Sequence, residues 1–254
     1  MISDDVPSNQ PTGDVPPPSR PVIHVDHEHR SVSGGLARAS VFGVSDGLVS
    51  NISLVIGFAG SGVGPSVVRL AGLAGLVGGA FSMAAGEYVS VAAQNELIER
   101  ELEVERREIR HNSASELAEL AAIYEAKGVD PRLAQEVAED IMKRPEEALL
   151  VHAREELGVD PDDLASPLMT AVFSFLAFAA GAILPVIPWF FAQGMSAAVA
   201  SVVLGVIAAA LVGSFIGRLA ERHVAKAAAR QVLFLAMACS ATYLVGSLLG
   251  VSVS

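Results

Sequence analysis

Three residues stand where a cation-binding side chain is costly to keep. Asp46 lies in the apolar run VFGVSDGLVSNISLVIGFAG, and Met83 and Glu87 lie in GLVGGAFSMAAGEYVSVAAQNE. An ionisable group at membrane depth costs about 2.5 to 3.5 kcal/mol on insertion scales, so such a residue calls for a function. Met83 and Glu87 are four residues apart, one helical turn on one face, and that face continues through Gly79, Gly75 and Ala71. Asp46 shares a face with Ser50 and Ser53, with Gly43 and Gly47 beside it. Small residues let helix backbones approach closely, so both polar stripes are expected to face another helix and not lipid. Asp46 and Glu87 each sit about seven residues inside their runs, roughly 10 Å deep at 1.5 Å rise per residue, so they could meet at one level. Carboxylates suit hard cations and a thioether adds softer character, a mixture that points to Fe(II) or Mn(II) more than to Mg(II) or Ca(II).

A second constellation offers the same chemistry in water. Glu105 and Glu108 are spaced i,i+3, Glu116 and Glu119 i,i+3, and His152 and Glu156 i,i+4. Each pair shares one helix face and can hold one edge of a cation. Acidic helices carry such spacings by chance, so one pair says little; three pairs on successive helices mark a candidate metal-binding module. Imidazole binds metal only when neutral, so affinity is expected to weaken below about pH 6.5, the ordinary histidine value. Carboxylates ordinarily protonate only near about pH 4, which assigns most of the loss between pH 7 and 5.5 to His152.

The charge distribution separates the two environments. Hydrophobic residues make up 52% of the 254-residue chain, yet its net charge is −11. Residues 94–166 hold 20 acidic and 9 basic side chains, so this segment carries the whole net charge. Such an excess disfavours nucleic acid and anionic lipid headgroups as main partners and favours divalent cations. The single cysteine, Cys239, excludes an internal disulfide.

Five runs are long enough to cross a hydrocarbon core of about 20 residues, at 39–64, 70–95, 168–191, 195–217 and 231–254. The first two contain one charged residue each, Asp46 and Glu87, and the last three none. Arg30 and Arg38 precede the first run, nine basic residues lie in the acidic segment, and Arg218, Arg222, Lys226 and Arg230 are expected in a loop joining the last two runs. By the positive-inside rule the N-terminus, the acidic segment and the 218–230 loop are cytoplasmic and the C-terminus is outside. The expected fold is all-α: a polytopic membrane protein with five transmembrane helices and an inserted cytoplasmic helical metal-binding domain. Its parts are a cytoplasmic tail at 1–36 expected to be disordered, transmembrane helices 1–2 at 37–95, the acidic domain at 96–165, and transmembrane helices 3–5 at 166–254.

Within the acidic domain, Asn112 and Ser113 are expected to cap a helix, with Glu116 at capping-box spacing from Ser113, and Gly128 to end it. Asp130-Pro131 and Pro145 start two more, and Gly158 closes the last before Asp160-Pro161. No glycine after Gly86 and no proline before Pro131 interrupts the second run, so it is expected to project into the cytoplasm as one long helix. The tail holds HVDHEHR, where His24, His27 and His29 could form a weak metal-collecting patch, a flexible polar leader being the favoured reading.

The quoted runs, with ELAELAAIYEAKGVDPRLAQEVAEDI and HAREELGVDP, resemble the vacuolar iron transporter family from about Leu36 onward. The SDGLVS and SMAAGEYVS blocks are the most specific. The resemblance implies a homodimer of five-span protomers with the ion path at the two-fold axis, a cytoplasmic metal-binding domain between spans two and three, and exchange of divalent iron for protons. For a bacterial member it implies the cytoplasmic membrane. Asp46 and Met83 match the family's intramembrane ligands, Glu87 the glutamate of its GE motif, and Glu105, Glu108, Glu116, Glu119 and Glu156 its soluble metal-site carboxylates. His152 stands where plant members have methionine, which makes that ligand harder and pH-sensitive. Thirty-six tail residues are too few for the ferritin-like domain of some bacterial relatives.

The function expected is export of Fe2+, and of Mn2+ as a second ion, in exchange for protons, with no cofactor beyond the ions carried. A membrane-anchored metal sensor or buffer is the alternative. A ferroxidase rests only on Glu108-Ile109-Arg110-His111, a single copy of an element that di-iron bundles use twice, so no enzyme is expected.

Overall fold

The computed structural model describes residues 35–219, 221 and 223–249; His24, His27 and His29 of the tail and Arg222 lie outside the described residues. Eight α-helices form among the described residues: α1 Gly35–Gly60, α2 Pro65–His111, α3 Ser113–Ala126, α4 Pro131–Met142, α5 Pro145–Glu155, α6 Pro167–Ile183, α7 Gly194–Leu219 and α8 Val224–Leu249. Short 3-10 turns lie at Pro161–Asp163 and Ile187–Phe190. α2 runs unbroken for 47 residues, about 70 Å at 1.5 Å per residue, because nothing in its sequence interrupts the backbone hydrogen bonding.

α1 is the hub. Gly43 and Gly47 bring it against Ala177 and Phe178 of α6, Gly181 returns the close approach against Val44 and Leu48, and Val55 packs with Val186. The pairs advance together along both helices, so α1 and α6 run parallel. α8 is parallel to them as well, from Gln231 donating to Ser45 to Gly246 lying against Gly57. α2 and α7 run the opposite way: Gly79 meets Phe178 while Gly72 meets Val186, and Gly213 and Gly217 face Ala227 and Val224. Apolar side chains fill the space between, with Leu48, Ile52, Leu235 and Cys239 in one cluster and Val55, Val68, Val186 and Trp189 in another. The α1–α2 turn, the 187–193 segment and the end of α8 therefore share one end of the bundle.

Among the described residues four helices are long and apolar enough to cross a membrane: Arg38–Gly60, Pro65–His111, Gly194–Leu219 and Val224–Leu249. The run expected at 168–191 forms a helix of only 17 residues, α6, because Pro185 and Pro188 stop it and a 3-10 turn follows. Ser201 steadies the break by donating to the Pro185 carbonyl at 2.8 Å. The run expected at 231–254 begins seven residues earlier, at Val224, so Lys226 and Arg230 lie on α8 and not in a loop. Hydropathy marks where charge stops; the helix extends past it because long basic side chains can reach water from a helix end.

The acidic segment folds as short helices against the projecting end of α2. Ile109 of α2 packs with Ala148 and Leu149 of α5, and Leu120 and Ala121 of α3 pack with Ala138 of α4. Asp130 caps α4 by accepting from the Arg132 and Leu133 amides at 3.1 and 3.4 Å. Gly128 and Gly158 take the left-handed backbone, φ 91° and 65°, that ends a helix without Cβ strain. Asn112 is the N-cap of α3 but makes no side-chain cap, donating instead to the Glu108 carboxylate; Ser113 is already the first helical residue, so the capping box expected of Ser113 and Glu116 is not formed. At the base Asn95 donates to the Ala165 carbonyl at 3.0 Å, tying the outgoing strand of the chain to the returning one.

Candidate metal centre and membrane cleft

α2, α3 and α5 bring carboxylates and one imidazole to a single point. His152 is fully buried, and Glu105 and Glu116 are 8% and 7% exposed. His152 Nδ1 lies 3.0 Å from Glu105 Oε1, 3.8 Å from Glu116 Oε2 and 3.9 Å from Glu156 Oε2. Despite that proximity, both imidazole nitrogens and Glu105 Oε1 lack a properly directed hydrogen bond among the described residues. Buried polar atoms are normally satisfied, so a converging set of orphans is the geometry a cation would complete. One ligand atom each from Glu105, His152 and Glu156 lie within 4.8 Å of one another.

Glu108 and Glu119 stand at the edge. Glu108 is held by Asn112, Glu119 is exposed, and both act on Glu105 through their charge. Burial, and next the charge of Glu156, push the Glu105 carboxyl above its ordinary range. Burial and then the charge of Glu105 push Glu116 up to about 7, with His152 opposing. Desolvated carboxylates facing one another hold protons unless a cation replaces them. The window between pH 7 and 5.5 therefore cannot be assigned to His152 alone, because Glu116 titrates within it. The expectation took carboxylates at their ordinary value, and burial is what moves them.

Between α1, α2 and α6 lies a cleft of about 320 Å³ lined by Asp46, Ser50, Asn51, Gly75, Gly79 and Met83, with Phe178 behind. Asp46 and Met83 thus share one space. The glycines of α2 make room for it, and Asp46 and Ser82 on its rim are exposed in the single chain. Glu87 does not line the cleft. It stands one turn beyond Met83, half-buried, and accepts from Arg38 Nη2 at 3.4 Å. Ser53 also turns away, donating to the Val49 carbonyl at 2.6 Å. Asn51 carries no charge, so its only signal in the sequence is an amide inside an apolar run.

Comparison with known proteins adds an independent line. Residues 37–247 match the model of the VIT family. The chain is 37% identical to a vacuolar iron transporter of Acanthamoeba castellanii over 75% of this chain and 71% of the relative. It is 31% identical to vacuolar iron transporter 1 of Eucalyptus grandis over 85% of this chain and 87% of the relative. Against vacuolar iron transporter 1 of Arabidopsis thaliana it is 32% identical, covering 74% and 77%.

Proposed function

The chain belongs to the VIT family, and from that premise we propose that it exports divalent iron, with manganese as a second cargo, from the cytoplasm in exchange for protons. The family makes it a metal-ion transporter of the membrane and not an enzyme. The observation that carries the finer reading is the pairing of Asp46 of α1 with Met83 of α2 in one cleft, α2 being the helix that also bears Glu105. The rigid α2 joins a collecting site in water to a conducting site among apolar helices.

In this reading the acidic module, residues 96–165, raises the metal concentration at the cytoplasmic mouth. Glu105, Glu116, His152 and Glu156 bind the ion, Glu108 and Glu119 add charge, and the ion then enters the cleft past Glu87. Asp46 supplies charge and Met83 a softer ligand. When the dication leaves, a carboxylate in apolar surroundings takes a proton in its place, which links metal efflux to proton entry. A second copy of the chain closes the exposed rim of the cleft, in accord with the expected homodimer. The membrane is the cytoplasmic one, with the tail and module inside and the C-terminus outside.

Proteoliposomes holding a metal-sensitive dye test this. Fe2+ and Mn2+ flux should follow an imposed pH gradient and stop when it is collapsed. Metal binding without flux would replace transport by a membrane-anchored buffer or sensor.

A further inference from the structure

Asn51 is 2% exposed and joins three helices. Its Nδ2 donates to the Gly72 carbonyl of α2 at 3.1 Å and to the Ala182 carbonyl of α6 at 2.6 Å. Those bonds use both amide protons and fix the amide orientation, since the reverse would set its oxygen against two carbonyl oxygens. The oxygen, Oδ1, is left without a partner among the described residues. It lies beside Gly75, where an added Cβ would stand 2.6 Å from it, and both residues line the cleft that holds Asp46 and Met83.

We propose that Asn51 Oδ1 is a neutral oxygen ligand for the divalent cation in this cleft, one step beyond Asp46; this rests on the transport reading above. A buried acceptor without a donor is costly, and a cation is one species that satisfies an oxygen needing no proton. Asn51 follows Asp46 by five residues, about 7 Å along α1, so an ion leaving the carboxylate reaches it next. A neutral ligand holds the ion without adding a second charge to hinder release. Gly75 keeps the approach open, because any larger residue would fill the space beside the oxygen. Amide oxygen is a hard donor and thioether sulfur a soft one, so the pair Asn51 and Met83 sets which divalent ions pass.

The test compares Mn2+ and Cd2+ flux in proteoliposomes for the unaltered chain, Asn51→Leu and Gly75→Ala. Asn51→Leu removes the oxygen and both donors. Gly75→Ala leaves the donors in place and sets a methyl group against the oxygen, so it decides the matter if Asn51→Leu fails to fold or the two disagree. Mn2+ flux should fall by about tenfold or more, the scale of lost ligand support, while Cd2+ flux falls less, raising the Cd2+ to Mn2+ ratio. Unchanged flux, or equal losses for both ions, would overturn the inference and leave Asn51 as a clamp between helices. No flux of either ion in the unaltered chain would overturn the transport reading and this inference with it.

Discussion

Asp46 and Asn differ by one charge and almost nothing in shape, which makes Asp46→Asn the cleanest probe of the cleft. The substitution removes both the attraction for a dication and the site for the replacing proton, so flux should fall to the background of empty vesicles while yield and assembly stay unchanged. Flux near that of the unaltered chain would remove Asp46 from the path. Side-chain type located Asp46, Met83, Glu105, Glu116, His152 and Glu156, and the structure sets them in two groups. Type could not tell that Glu87 would pair with Arg38 outside the cleft, since that depends on how α1 enters the bundle. Nor could it tell that Glu116 would be pushed up to about 7, because burial arises only when α3 closes on α2 and α5. That shift has a definite sign. A folded-state value above the ordinary 4.5 means the folded protein binds the proton more tightly than the unfolded chain, so metal-free stability falls as pH rises toward and through about 7. Melting of the chelated full-length protein should be higher near pH 5.5 than near pH 8, and Mn2+ should stabilise most at the higher pH, where the carboxylates are free of protons. Glu116→Gln should flatten the metal-free profile; a profile unchanged by it would place the titration elsewhere.

Elements are held by contacts that leave no room for a methyl group. An added Cβ at Gly47 would collide with the Phe178 carbonyl, and one at Gly43 would stand 2.8 Å from the Ala177 Cβ. Backbone cannot yield as a side-chain tip can, so Gly47→Ala should cost about 1 to 3 kcal/mol or more by overpacking. It should also pry α6 from α1, taking Phe178 from behind the cleft. Lower thermal stability together with lower flux is expected, and a melting temperature equal to that of the unaltered chain would show that α1 and α6 are not so closely joined. Glycine spacing foretold that these faces meet helices, but not which helix. Periodicity and punctuation were more informative in the acidic segment, where Pro131, Pro145, Gly128 and Gly158 bound α3, α4 and α5 as expected. They failed at Asn112, whose amide found the Glu108 carboxylate one turn back instead of the α3 amides. The Glu108 carboxylate, an acceptor, and the α3 amides, which are donors, competed for the orientation of one side chain, and composition alone could not rank them.

The number of times the chain crosses the membrane decides on which side each of its loops lies. Among the described residues four helices meet the length and hydropathy expected of a span, whereas α6 has 17 residues, about 25 Å of helix against a core of about 30 Å. The five-span reading proposes that it crosses all the same, and its packing is what supports that. α6 runs parallel to α1 from Gly43 opposite Ala177 to Val55 opposite Val186, and Trp189 then packs with Val68 at the start of α2 and Ala197 at the start of α7. Arg69 donates to the Trp189 carbonyl at 3.3 Å at that same end. In the five-span reading the chain past Pro185 would cover the remaining depth, with Val186 and Trp189 buried against protein and Ile187, Phe190 and Phe191 exposed. Five crossings then put the acidic module and Gln193 on opposite faces of the membrane; four, with α6 returning to its own side, put them on the same face. A chain with Cys239→Ser and one new cysteine, at Ser115 or at Gln193, distinguishes these when an impermeant maleimide is added to intact cells and then to opened ones. Cys239 is the only native cysteine, so the background is clean. The Gln193→Cys chain should label in intact cells and the Ser115→Cys chain only after opening. Labelling of both positions under the same condition would end the five-span reading and, with it, the outward end of the proposed path.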